Sequence, residues 1–223
     1  MIDQLPAWIN TLFLSAFALT IIGFYMSNGR PLALTIGILV WSLVHGALAI
    51  NGFYEVTDTM PPRFALVLLP ATVLIIFGAM NRPLLARRNR FWSTLLHTIR
   101  LPIEIVLHAL FLQTLLPELM TFEGRNFDIV MGITAPIVAF LVAKNKISNT
   151  ALLVWNVVGL ILIFFILING ILSAELPFQQ FAFDQPNKAI LYFPYTLLPA
   201  TIVPIVIFTH LTDIILLLRE RKS

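Results

Sequence analysis

Apolar runs about as long as a bilayer is thick recur along the whole chain, with short polar stretches between them. A helix rises 1.5 Å per residue, so roughly 20 mainly apolar residues cross a hydrocarbon core of about 30 Å. Seven segments meet that length: 8–26, 31–50, 64–80, 92–116, 128–143, 151–172 and 189–218. No linker is long enough to divide the chain, so the pattern predicts an all-α, polytopic membrane protein with one seven-helix domain over 1–223. The first run follows Met1-Ile2-Asp3-Gln4, which has no basic stretch, so it reads as a retained helix and not as a leader. The last segment has 30 residues, some 45 Å of helix, and must bend, tilt or protrude.

Composition agrees with this pattern. Of 223 residues, 59% are hydrophobic and 11% charged, whereas a soluble domain carries roughly 25% charged residues. Lipid must therefore solvate much of the surface. There is no cysteine, which excludes disulfides, thiolate metal sites and cysteine nucleophiles. The net charge of +3 is small and does not suggest nucleic-acid binding. Its placement sets the orientation. With the N-terminus outside, the inner segments hold Arg30, Arg82, Arg87, Arg88, Arg90, Lys144, Lys146, Arg219, Arg221 and Lys222. The outer ones hold Arg63, Arg125 and Lys188, together with Glu55, Asp58, Glu118, Glu123, Asp128, Glu175 and Asp184. Excess lysine and arginine mark the cytoplasmic side, so the expected topology in the cell (inner or plasma) membrane is N-out, C-in.

Two strings repeat. Leu68-Leu69-Pro70-Ala71-Thr72 recurs as Leu197-Leu198-Pro199-Ala200-Thr201, and Leu39-Val40-Trp41 before Ser42 recurs as Leu153-Val154-Trp155 before Asn156. The matches come in the same order, which divides the chain into a three-helix half (1–80), a linker helix (92–116) and a second half (128–218). This 3+1+3 plan resembles that of sugar-type seven-helix transporters, in which the substrate lies between parallel halves; the resemblance implies transport of a small molecule. A duplication kept only for packing is the alternative. Pro70, Pro199 and Pro204 interrupt the matched helices and mark either a hinge or a fixed kink.

Ionisable groups at membrane depth are costly and tend to mark function. His97, Arg100, Glu104 and His108 share one face of the fourth segment, and His210 and Asp213 lie late in the last. The spacing predicts a buried network of His97, Arg100, Glu104 and Asp213, with Asp213 paired to Arg100 or His97. The plain reading lets Arg100 and Glu104 neutralise each other across one turn. His45 is expected at the depth of His108. Glu104, His108, His45, His210 and Asp213 are the catalytic candidates. Imidazoles with carboxylates bind metal, relay protons or serve as hydrogen-bonded structure, and the eleven-residue gap between His97 and His108 assigns no metal set. The helix count and the late His and Asp resemble intramembrane hydrolases of the progestin-receptor and alkaline-ceramidase type, which implies zinc and a lipid substrate. Leu101-Pro102-Ile103-Glu104 resembles the Pro-x-Glu-Glu of membrane lycopene cyclases, which implies a carboxyl group that protonates an isoprenoid. Retinal is not expected, because the last helix has only Lys188 before it and Lys222 after it.

Two outer loops, 117–128 and 177–187, mix aromatics with carboxylates and amides. Glu118, Glu123, Asp128, Asp184 and Gln185 are the ligand-binding candidates there; the alternative is interfacial aromatics with capping side chains, Asp128 capping the fifth helix. The whole chain, and these loops above all, resembles an uncharacterised family of bacterial seven-helix membrane proteins, which implies the architecture and no activity. Beyond the lipid bilayer and a small-molecule or lipid ligand, the sequence names no partner. A permease-like transporter, an intramembrane enzyme on a lipid or isoprenoid, and a heptahelical sensor or complex subunit all remain open.

Overall fold

The computed structural model describes residues 5–67, 72 and 82–221, and every regular element among them is helical. In chain order these are α1 (Ala7–Ser27), α2 (Leu32–Ile50), a short α3 (Arg82–Ala86), α4 (Arg90–Leu112), α5 (Asp128–Ala143), α6 (Asn149–Leu172) and α7 (Leu198–Glu220). Of these, α1, α2, α4, α6 and α7 are long and apolar enough to cross a membrane, while α5 is a shorter apolar helix of 16 residues. The chain thus has the make-up of a multi-pass membrane protein. The third apolar segment, with Pro70 and the first copy of its repeated string, lies outside the described residues except for 64–67 and Thr72.

Helices α4 and α7 form the centre, with 56% and 61% of their apolar windows buried, against 28% for α2. The main core joins Ile9 and Phe13 of α1, Val106 and Leu110 of α4, and Ile205 and Val206 of α7. Leu43 and Val44 of α2, Ile137 and Phe140 of α5, and Ile161 and Phe165 of α6 point outward. That apolar belt suits lipid and would be a liability in water. Basic turns gather at one end. There Asn89 N–H donates to the Ser27 carbonyl, and Arg90 reaches Asn149 and Glu220. Lys188 and Glu175 meet at the opposite end, where the Lys188 N–H donates to the Leu115 carbonyl.

The last helix is shorter than its apolar run. Ala189–Leu191 forms a separate 3₁₀ turn, and α7 begins only at Leu198, giving 23 residues in place of a 30-residue span. Prolines at 194 and 199 lack the N–H that would carry the helix back through this stretch. Its first turn, Leu198–Ile202, is a π-helix. Within α7, Pro204 has no N–H to return to the Ala200 carbonyl four residues earlier. Trp41 of α2 supplies the missing donor: its indole Nε1–H lies 2.9 Å from that carbonyl oxygen. Beside it, the hydroxyls of Ser42 and Thr201 are 2.8 Å apart. The proline therefore creates an acceptor that the neighbouring helix uses.

Trp41→Phe keeps most of the ring and strands that carbonyl, at a cost of about 1–3 kcal/mol. Thermal unfolding of the purified variant in detergent is expected to fall by several degrees, and an unchanged midpoint would contradict the role given to Trp41.

Candidate functional site

Arg100 lies midway along α4 and is buried. Its Nη1 donates to Asp128 Oδ1 at 3.2 Å, and its Nη2 faces the Gly159 carbonyl at 3.4 Å and His210 Nε2 at 3.0 Å. A guanidinium only donates, so His210 Nε2 accepts. The proton of His210 is then on Nδ1, which donates to Asn156 Oδ1 at 2.9 Å. Asn156 is oriented by its own amide N–H, given to the Leu152 carbonyl at 2.9 Å. This chain of donors fixes one neutral tautomer of His210. The His97 ring stacks on it at 3.8 Å, and Trp155 stands edge-on to His97 while donating to Thr134 Oγ1 at 3.1 Å.

Two glycines let the helices close in on this pair. A Cβ at Gly132 of α5 would lie 2.6 Å from the Leu101 backbone nitrogen of α4. A Cβ at Gly159 of α6 would lie 2.5 Å from the His210 ring. The approach at Gly132 brings Asp128, at the start of α5, against Arg100. Arg100 and Glu104 accordingly do not neutralise each other across one turn; the carboxylate hydrogen-bonded to Arg100 is Asp128. Asp128 does not cap α5: it is the first residue of the helix, its side chain is spent on the ion pair, and its N–H goes to Asn126 Oδ1 at 3.2 Å.

Glu104 sits one turn beyond Arg100. Its Oε1 accepts from Asn126 Nδ2 at 2.5 Å, and Asn126 also donates to the Met120 carbonyl at 3.1 Å. Its Oε2 is buried with no hydrogen-bond partner among the described residues, and the same holds for Asn187 Oδ1. Glu104, Asn126, Asp128 and Asn187 form the polar part of a cavity of about 80 Å³ between α4, α6 and the π-turn of α7. Its other walls are apolar, among them Ile103, Leu107, Ile163, Ile166 and Pro199.

The remaining sequence candidates are dispersed. Asp213 pairs with Arg88, 2.6 Å from its Nε, and not with Arg100 or His97. Arg88 also donates to Asn28 Oδ1 at 2.8 Å and the Thr209 carbonyl at 3.0 Å. It lies in the turn before α4 and reads in sequence as one more loop cation; nothing in the Arg87-Arg88-Asn89-Arg90 run singles it out. His45 does not meet His108. Its Nδ1 is hydrogen-bonded to the hydroxyl of Tyr54, a phenol that burial pushes up to about 12. His108 lies 3.8 Å from Glu123 and against Phe122. Gln185 ties the Phe111 and Leu116 carbonyls together, while Glu118 and Asp184 are exposed. Among the described residues no three His, Asp or Glu side chains gather as a metal ion would require. Asn126 and Asn187, which sequence reasoning missed, are loop amides without a motif.

Asp128→Asn removes the charge that balances buried Arg100, and breaking such a pair from one side costs about 3–5 kcal/mol. Glu104→Gln keeps the oxygen that Asn126 uses and is expected to cost under about 1 kcal/mol. Unfolding midpoints in detergent should separate the two variants clearly; equal losses would reverse the assignment of Arg100's partner.

No curated protein and no solved structure matches the chain. A family model covers residues 61–218, a stretch that contains Arg88, Arg100, Glu104, Asn126, Asp128, His210 and Asp213 and begins after α2. On a match over more than half its length, the chain belongs to the family described as Domain of unknown function (DUF8737).

Proposed function

We propose that the chain is a proton-linked small-molecule transporter of the cell membrane, with seven spans in a 3+1+3 plan, N-terminus outside and C-terminus inside. The observation that carries this reading is the cavity beside Glu104: a small, mostly apolar chamber inside the bundle, next to a carboxyl group with an uncommitted oxygen. A polar series continues from it through Asp128, Arg100 and His210 toward Arg88 and Asp213 at the basic end. Such a series gives water a polar lining in an otherwise apolar interior, with Glu104 as the group that exchanges a proton.

The cavity wall is also where the bundle has a means to move. Leu198, Pro199 and Val203 line it and belong to the π-turn and its junction with the α-helical part of α7. A π-turn is a local irregularity with hydrogen bonds to exchange, and such turns concentrate at functional sites. The two Leu-Val-Trp copies support the duplicated plan. Trp41 and Trp155 each donate to a neighbouring proline-bearing helix, and the residues after them, Ser42 and Asn156, each bond a side chain of α7. The gathering of Arg88, Arg90, Lys144 and Arg219 at one end supports the inward orientation of that end.

Liposomes containing the purified chain and a trapped pH dye, challenged with a panel of small cations, alcohols and acids, test the reading. A solute-dependent proton movement at least about tenfold above that of Glu104→Gln is expected (an effect of about 1.4 kcal/mol). If the wild type, Glu104→Gln and protein-free liposomes behave alike across the panel, the transport reading falls.

A further inference from the structure

The chemistry of the cavity says what kind of molecule it takes. Both uncommitted atoms on its polar side are oxygens, Glu104 Oε2 and Asn187 Oδ1. The Asn187 amide is oriented by its Nδ2, which donates to the Gly170 carbonyl at 3.3 Å, so its oxygen is left as an acceptor. A ligand that satisfies both must donate. Among the described residues that line the cavity, an anion would find these two acceptors and no uncommitted donor.

The charge count points the same way. Facing Glu104 are Arg100 on its own helix and Asp128 from α5, and these two are paired with each other. From α7 comes His210, whose accepted bond from Arg100 holds it neutral, with His97 stacked behind it. The adjoining loops bring the uncharged amides Asn126 and Asn187, and α6 has no ionisable side chain at all. Glu104 is therefore left to be balanced by a proton or by a cation, since an isolated charge away from water is too costly to keep.

We infer that the cavity beside Glu104 binds a small primary alkylammonium ion in exchange for the carboxyl proton. The ammonium offers three N–H donors and no acceptor, which fits the two oxygens. Its alkyl part lies against Ile103, Leu107, Ile163 and Ile166. A volume of about 80 Å³ holds roughly three groups of the ~30 Å³ that a water occupies, which limits the alkyl part to a few carbons. The step balances: the O–H bond of the Glu104 carboxyl breaks, its proton leaves to water, the carboxylate remains against the ammonium, and the ammonium keeps all its hydrogens. Nothing is oxidised or reduced.

This inference rests on the cavity being the site of the transported molecule, but it can be tested without transport. The full chain in nanodiscs of zwitterionic lipid is titrated calorimetrically with n-propylammonium, n-propanol and propionate, in two buffers of different ionisation enthalpy. Saturable n-propylammonium binding with release of about one proton per ion is expected, with propanol and propionate at least about tenfold weaker. Glu104→Gln, confirmed as folded by its unfolding midpoint, should release no proton and bind the ammonium at least about tenfold more weakly. Asn187→Leu should keep the proton release and weaken binding. The inference is overturned if propanol or propionate binds as well as the ammonium, if binding releases no proton, if Glu104→Gln binds the ammonium undiminished, or if none of the three binds saturably. Proton-linked flux of an alcohol or acid without ammonium binding would remove the cation and leave the transporter. Ammonium binding with proton release but no flux would do the reverse.

Discussion

The interior is organised by the need to keep one guanidinium charged out of contact with water. Arg100 stays protonated at any accessible pH, so its surroundings must supply both a counter-charge and acceptors for its N–H groups. Asp128 gives the charge, and the Gly159 carbonyl and His210 Nε2 give acceptors. These come from α5, α6 and α7, so one side chain on α4 sets how three other helices dock. The two glycines follow from the same demand, since neither Asp128 nor Gly159 could reach Arg100 if a methyl group stood at 132 or 159. The tautomer of His210, the orientation of Asn156 and the stacking of His97 are downstream of it.

The apolar runs foretell most of the helices, because a lipid-facing surface writes itself directly into composition. The segregation of basic and acidic turns to opposite ends was equally legible, since it depends on counting and not on packing. Partner choice was not. Arg100 and Glu104 are neighbours by periodicity, yet the carboxylate that closes on Arg100 comes from 28 residues away. What decides between the two carboxylates is how close α5 can come at Gly132, and no pattern on α4 carries that information. Arg88 was lost for a related reason: a loop cation folded back into the bundle looks in sequence like one left in water. The last helix was overestimated because hydropathy registers apolarity alone, while Pro194 and Pro199 act through the absence of N–H groups.

Glu104 stands apart within this frame. Around Arg100 both terminal guanidinium nitrogens find acceptors, Nε having none among the described residues, and the tautomer of His210 is fixed. Glu104 is held by one oxygen only, through Asn126, and turns its other oxygen to a place where two amides, a proline-bearing turn and aliphatic side chains meet. A rigid, balanced pair beside a loosely held acid is an economical way to keep one group responsive while the rest is fixed, because a charge change at Glu104 need not disturb the Arg100–Asp128 pair.

The order in which the partners of the two buried arginines appear along the chain bears on how the protein is made. Arg100 can find Asp128 as soon as α5 follows it, so α4 and α5 can enter the bilayer as a hairpin with the charge already covered. A lone arginine mid-helix would cost about 2.5–3.5 kcal/mol at insertion. Arg88 is different, because its carboxylate, Asp213, lies seven residues before Glu220, the end of α7, and arrives last. Until then the turn before α4 holds a cation that can reach Asn28 but has no counter-charge from α7. The final helix therefore acts as a latch on the beginning of the central one, and a nascent chain cut short before it would carry an arginine without its counter-charge as a mark of its incompleteness.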